Sequence, residues 1–213
     1  MRSRLLALAA LLCALPASGG TEARLTTSMG DIVIALDAAK APATVANFVR
    51  YAKEGHYNGT VFYRVVPGFV IQAGSMGADG KWRPMHKPIA LESGNGLSNT
   101  RGTIAMARED KPASAMAEFF INLSDANAQG LDPKPGDPPG TTGYAVFGRV
   151  TAGMEVVDAI AAVPLGGKKG PFPGAYPIKP VIIRKVTIAA TPDVPAVAPA
   201  AAEPVAGPVT PGN

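Results

Sequence analysis

The chain has 213 residues, a formal net charge of +4 and a single cysteine, Cys13. Two of its basic residues, Arg2 and Arg4, lie at the extreme N-terminus and no stripe of Lys and Arg follows, which argues against a nucleic-acid footprint. One cysteine excludes a disulfide within the chain and any cysteine-based metal cluster.

Residues 1–20 run from the basic MRSR through the apolar LLALAALLCALP to the small residues ASGG. This is the layout of a secretory signal peptide, and the apolar run falls short of the ~20 residues a membrane-spanning helix needs. Cleavage near Ala17 to Gly20 is expected, giving an exported protein with no stable membrane insertion afterwards. An uncleaved anchor is the competing reading; a lipid anchor on Cys13 is disfavoured by Leu12, where a small residue belongs.

Arg24–Thr27 and Asp31–Leu36 then read as a hairpin across Ser28-Met29-Gly30. Residues 41–55 read as an amphipathic helix, with Pro42 in its first turn, Gly55 at its C-cap, and Val45, Phe48, Val49 and Ala52 on one face. Strands are predicted over Val61–Val66 and Phe69–Gln72 around a Pro67-Gly68 turn, then over Gly102–Ala107, Glu118–Asn122 and Tyr144–Val150. Gly153–Val163 is a second amphipathic helix, stopped by Pro164, and Pro180–Ile188 a last strand. Many short strands with two isolated helices predict a mainly β barrel or sandwich capped by helices. From 190 to 213 the chain is Ala, Pro and Val with little charge, and is expected to be a disordered or extended tail. The folded unit is expected over 24–189, long enough to need no disulfide.

Chemistry concentrates in Val61–Gly74. Strand alternation puts Phe62, Arg64 and Val66 on one face, and sets Phe69 and Ile71 opposite Val70 and Gln72 unless the turn shifts the register. An arginine among apolar neighbours is costly unless it is paired or faces a groove. A snorkelling arginine on an edge strand is the plainer alternative. His56 and His86 are lone histidines in loop contexts, so no metal site is predicted. Gly166-Gly167-Lys168-Lys169-Gly170 is turn-like and does not lead from a strand into a helix as a phosphate loop would.

The segment FYRVVPGFVIQAG resembles the signature of the cyclophilin family of peptidyl-prolyl isomerases. Asn99–Arg108, Glu118–Asn122, and Gly143–Val150 followed by Gly153–Asp158 resemble further family blocks in the same order, so the likeness runs from about Arg24 to Ile188. It is nearest the bacterial exported branch, which with the signal peptide implies the periplasm. The fold implied is a closed eight-stranded antiparallel barrel capped by two α-helices. The activity implied is cis–trans isomerisation before proline in unfolded or partly folded polypeptides, by a monomer with no cofactor.

By the same resemblance, Arg64, Phe69, Gln72 and Phe120 are catalytic, while Val70, Met106, Ala107, Leu131 and Tyr144 bind substrate. Tyr144 stands where many family members have histidine. Three departures stand out. Glu118 replaces a usual glutamine, and pairing with a nearby arginine such as Arg64 is one expectation. Gly130 replaces a usual tryptophan or phenylalanine, which predicts weak binding of the cyclic peptide cyclosporin. Asp132–Thr142 is a long Pro/Gly-rich loop, read as a tolerated insertion or a bias on substrate choice. Two other functions stay open: a module of this fold that grips proline segments with little turnover, and a structural or adhesion protein anchored by its tail.

Overall fold

The computed structural model describes residues 20–190 apart from Pro173. The predicted signal peptide and the tail beyond residue 190 lie outside the described residues.

The strands are β1 (Thr21–Thr27), β2 (Gly30–Leu36), β3 (Thr60–Val61), β4 (Arg64–Val66), β5 (Val70–Ala73), β6 (Thr103–Met106), β7 (Phe119–Asn122), β8 (Val146–Ala152) and β9 (Ile182–Ala190). They form one curled antiparallel sheet in the order β3-β9-β1-β2-β8-β6-β7-β5-β4. The helices are α1 (Pro42–Lys53), the single turn α2 (Ala128–Leu131) and α3 (Met154–Ala161).

This corrects the expected closed eight-stranded barrel with two helices. Among the described residues the sheet has nine strands, three α-helices accompany it, and no ladder joins its outer strands β3 and β4. The reason is local. The single strand expected over Val61–Val66 is interrupted at Phe62 and Tyr63, where the backbone changes partners. Phe62 N donates to Val181 O at 3.0 Å, ahead of β9, whereas Tyr63 N donates to Gln72 O at 3.1 Å in β5. The two outer strands are thus consecutive pieces of one run of chain. The break also removes Phe62 from Arg64's face: Phe62 is buried in the main core.

Period-2 alternation gives the strands two apolar faces. Ile71, Ile104, Phe119, Ile121 and Phe147 point into the core, whereas Val70, Ala105, Phe120 and Val146 form a separate buried cluster on the opposite face. α1 closes the core with Val45, Phe48, Tyr51 and Ala52. Its first N–H groups have no partner within the helix. Glu92 supplies one, accepting from Ala43 N at 3.0 Å and Thr44 N at 2.8 Å.

Candidate active site

β4, β5, β7 and β6 lie side by side, and their register sets Arg64 opposite Gln72, Gln72 opposite Phe120, and Phe120 opposite Ala105. A guanidinium, an amide and an aromatic ring therefore share one row on the outer apolar face. Around them lies a groove of about 260 Å³ that also takes in Phe69, Val70, Ala107, Leu131 and Tyr144. Eight of the nine residues that the resemblance singles out meet in this groove, and the ninth, Met106, lies elsewhere. Met106 pairs with Phe119 in the core, one residue out of phase with the groove-lining Ala107.

Arg64 is held on three sides. Its Nη1 donates to Gln72 Oε1 at 3.0 Å. Its guanidinium carbon lies 5.8 Å from the centre of the Phe69 ring and 4.8 Å from that of Phe172. Rings facing a guanidinium attract it and hold it away from water. Gln72 is fixed in turn, because its Nε2 donates to Tyr63 Oη at 2.6 Å. The groove floor is Phe120, 4% exposed, with Tyr144 edge-on to it at 5.5 Å.

Buried asparagines hold the rim. Asn127 Nδ2 donates to Phe69 O at 2.7 Å and to Asn122 Oδ1 at 2.8 Å. Asn122 Nδ2 reaches Asn99 Oδ1 at 3.2 Å, and Asn99 Nδ2 reaches Leu131 O at 3.2 Å. One amide chain thus links the loop carrying Phe69 to the turn carrying Leu131, with its donors and acceptors matched as burial demands. The 132–142 loop is tied down as well, for Asp132 Oδ1 accepts from Asn99 N at 2.7 Å.

Two groove residues escaped the sequence reading. Arg108 stacks 5.0 Å above Tyr144, and its Nε donates to Gly143 O at 2.8 Å. Phe172, 39% exposed, comes from a Pro/Gly loop pinned to β4 by Val65 N donating to Ala175 O at 2.8 Å. A large aromatic flanked by prolines in a polar loop was the available signal for it.

Glu118 does not pair with Arg64; Tyr63 and Gln72 stand between them, and no ion pair joins the two among the described residues. Both its oxygens are buried and make no well-formed hydrogen bond, although Tyr63 and Ser75 face them. Burial pushes the carboxyl up from the ordinary range. A carboxyl raised in the folded state favours folding at low pH and loses that contribution as pH rises through the folded value. Glu118→Gln is therefore expected to raise the melting temperature at pH 7.5, and the gain to shrink towards pH 4. Thermal scans at the two pH values check this; an equal gain at both would contradict it.

His56 and His86 lie apart from the groove, His56 Nε2 meeting Ser75 Oγ at 3.2 Å and His86 Nε2 meeting Glu54 Oε2 at 2.6 Å. A roomier cavity of about 580 Å³ between β2, β6 and β8 is lined, among the described residues, by no aromatic ring and by two charged groups, Asp37 and Arg149.

The family model described as cyclophilin type peptidyl-prolyl cis-trans isomerase/CLD matches residues 23–188. The chain belongs to the cyclophilin-type peptidyl-prolyl cis-trans isomerase family. It is 46% identical over 183 residues to peptidyl-prolyl cis-trans isomerase A of Dickeya dadantii, covering 86% of this chain and 92% of that one. Against peptidyl-prolyl cis-trans isomerase B of Escherichia coli it is 44% identical over 162 residues, 76% of this chain and 96% of the relative. A crystal structure of a cyclophilin-type isomerase from Cryptosporidium parvum shares the fold, with a TM-score of 0.65 at 24% identity over 81% of this chain and 99% of that one.

Proposed function

We propose that this protein catalyses cis–trans isomerisation of the peptide bond before proline in extended segments of unfolded or partly folded polypeptides, with Arg64 as the group acting on the bond. The observation that carries the proposal is the row of Arg64, Gln72 and Phe120 across adjacent strands, a clamped cation beside an apolar floor. The relatives' names support the reaction, and a second Cryptosporidium parvum structure with this fold was determined in the presence of the dipeptide Ala-Pro.

The chemistry follows from the amide. Resonance puts a barrier of ~18–20 kcal/mol on rotation, so the uncatalysed change takes ~10–100 s. In the twisted transition state the prolyl nitrogen pyramidalises and exposes a lone pair. A donor aimed there favours the twisted state over both planar ones, and that difference is the catalysis. Guanidinium suits the role because it stays charged and keeps a fixed fork of donors. Phe120 and its neighbours take the proline ring, and Gln72 both holds Arg64 and offers its amide to the substrate backbone. Met106, as a core residue, is assigned no contact.

The signal-like N-terminus supports export to the periplasm, with exported chains as clients. A second reading, a proline-binding module with little turnover, is favoured by Gly130, whose missing side chain would meet nothing within 4 Å. A proline-switch assay on an Ala-Pro peptide separates the two: turnover is expected, and binding without turnover would favour the module. The same bare position predicts feeble inhibition by cyclosporin. Tight stoichiometric inhibition would show that the groove is walled in some other way.

A further inference from the structure

We infer that Glu118 is a positioning residue, holding Arg64 in its working geometry through Tyr63 and Gln72. The inference rests on the proposed role of Arg64 and extends the site inward, to a carboxylate that does not line the groove.

Donors and acceptors fix the direction of each bond. Arg64 Nη1 donates to Gln72 Oε1 at 3.0 Å, and Gln72 Nε2 donates to Tyr63 Oη at 2.6 Å. The Gln72 amide can serve both neighbours only in this orientation, since its oxygen must face the guanidinium and its nitrogen the phenol. Tyr63 Oη is therefore an acceptor, and its own proton needs a taker. Tyr63 is 2% exposed, so water is not at hand. The group facing it is Glu118, whose two oxygens are buried acceptors without a well-formed partner. A spare donor and an orphaned acceptor that meet away from water serve each other, because leaving either unmatched is costly. The chain then runs in one direction, from Arg64 through Gln72 and Tyr63 to Glu118.

The backbone makes room for this carboxylate. Gly74 (φ 153°) passes so close that a Cβ there would lie 2.6 Å from Glu118 Cα and 2.9 Å from its Cδ. Protonation of Glu118 disturbs the chain. The acid O–H becomes a donor aimed at Tyr63 Oη, where it competes with Gln72 Nε2, and the amide is no longer held in one sense. The other groups facing the site are Ser75, Tyr57 and, through Ser75, His56 beside Arg83. Burial pushes the Glu118 carboxyl up and pulls the His56 imidazole down, which brings the two titrations towards each other, so the test must part them.

Isomerisation of an Ala-Pro peptide is measured from pH 4.5 to 8, after circular dichroism has established that each variant is folded. Wild type is expected to lose at least about threefold in kcat towards the acid end with KM unchanged, as befits an interaction felt in the transition state. His56→Gln keeps that loss. Glu118→Gln abolishes it, because an amide oxygen accepts at every pH. Glu118→Leu and Tyr63→Phe each lower kcat by about tenfold across the range, and the double variant is no worse than either, as members of one chain require. An acid loss that persists in Glu118→Gln, costs of Glu118→Leu and Tyr63→Phe that add, or an effect carried by KM would each overturn the inference. If Glu118→Leu does not fold, Glu118→Gln and Tyr63→Phe decide. Full activity in Arg64→Ala would instead overturn the role of Arg64 itself. A large Arg64→Ala effect with Glu118 and Tyr63 variants indistinguishable from wild type would overturn only this inference.

Discussion

Arg64→Ala is expected to lower kcat/KM for prolyl isomerisation by about 10²–10³-fold, the usual cost of removing one preorganised donor from a developing charge. The loss should fall on kcat, because the prolyl nitrogen offers its lone pair only when the amide is twisted. The fold should survive. Arg64 lies at the half-exposed rim of the sheet, and among the described residues its one side-chain hydrogen bond is to Gln72, which keeps a second partner in Tyr63. Arg64→Lys is expected to fall between wild type and alanine, since an ammonium keeps the charge but cannot span the two ring faces of Phe69 and Phe172 as a planar fork does. The measurement is a proline-switch assay with the circular-dichroism melt run alongside. A loss of no more than about threefold in the alanine variant would reject Arg64 as the acting group.

Phe48→Ala carries the largest expected effect on stability. Phe48 is fully buried where α1 meets the sheet, with its ring 5.1 Å from Tyr57, 5.3 Å from Phe147 and 5.6 Å from Phe119. Removing such a ring costs about 3–5 kcal/mol, part in lost burial and part in the void left behind. In a domain of this size that corresponds to a fall in melting temperature on the order of 10 °C. Phe119 borders the void, and the next residue along β7 is Phe120, the groove floor. Activity is therefore expected to fall before the protein melts. A melting temperature within about 2 °C of wild type would mean that the neighbouring rings close the gap.

How far the sequence revealed this site depends on the kind of signal each residue carries. Arg64, Phe69, Gln72 and Phe120 stood out because they sit in contiguous motifs; the tight Pro67-Gly68 turn sets Arg64 opposite Gln72, while Phe120 joins them through the separate pairing of β5 with β7. Met106 was misplaced because a block resemblance names neighbours without deciding phase, and one step along a strand exchanges groove for core. The break at Phe62 and Tyr63 was invisible because it depends on which strand is nearer, β9 or β5, and that is settled by the curl of the whole sheet. Phe172 could not be placed from local pattern: it arrives from a distant loop, and long-range contacts such as the bond between Val65 and Ala175 bring it to Arg64. Glu118 was expected beside an arginine such as Arg64, but Gln72 and Tyr63 stand between the two. Knowing that a carboxylate is present says nothing of the phenol and amide that come between it and the guanidinium.

The pairing of Thr21 with Ala190 has a consequence for when the protein can fold. β1 lies between β2 and β9, so one of its edges is served by its hairpin neighbour and the other only by the last strand of the domain. During synthesis that second edge stays bare until residue 190 has left the ribosome, and contacts that span nearly the whole length of a chain are slow to form. The domain is thus built so that its sheet cannot be finished early, which keeps the nascent chain open for most of its production. It also leaves a strand edge that must be shielded from other chains until the closing strand arrives.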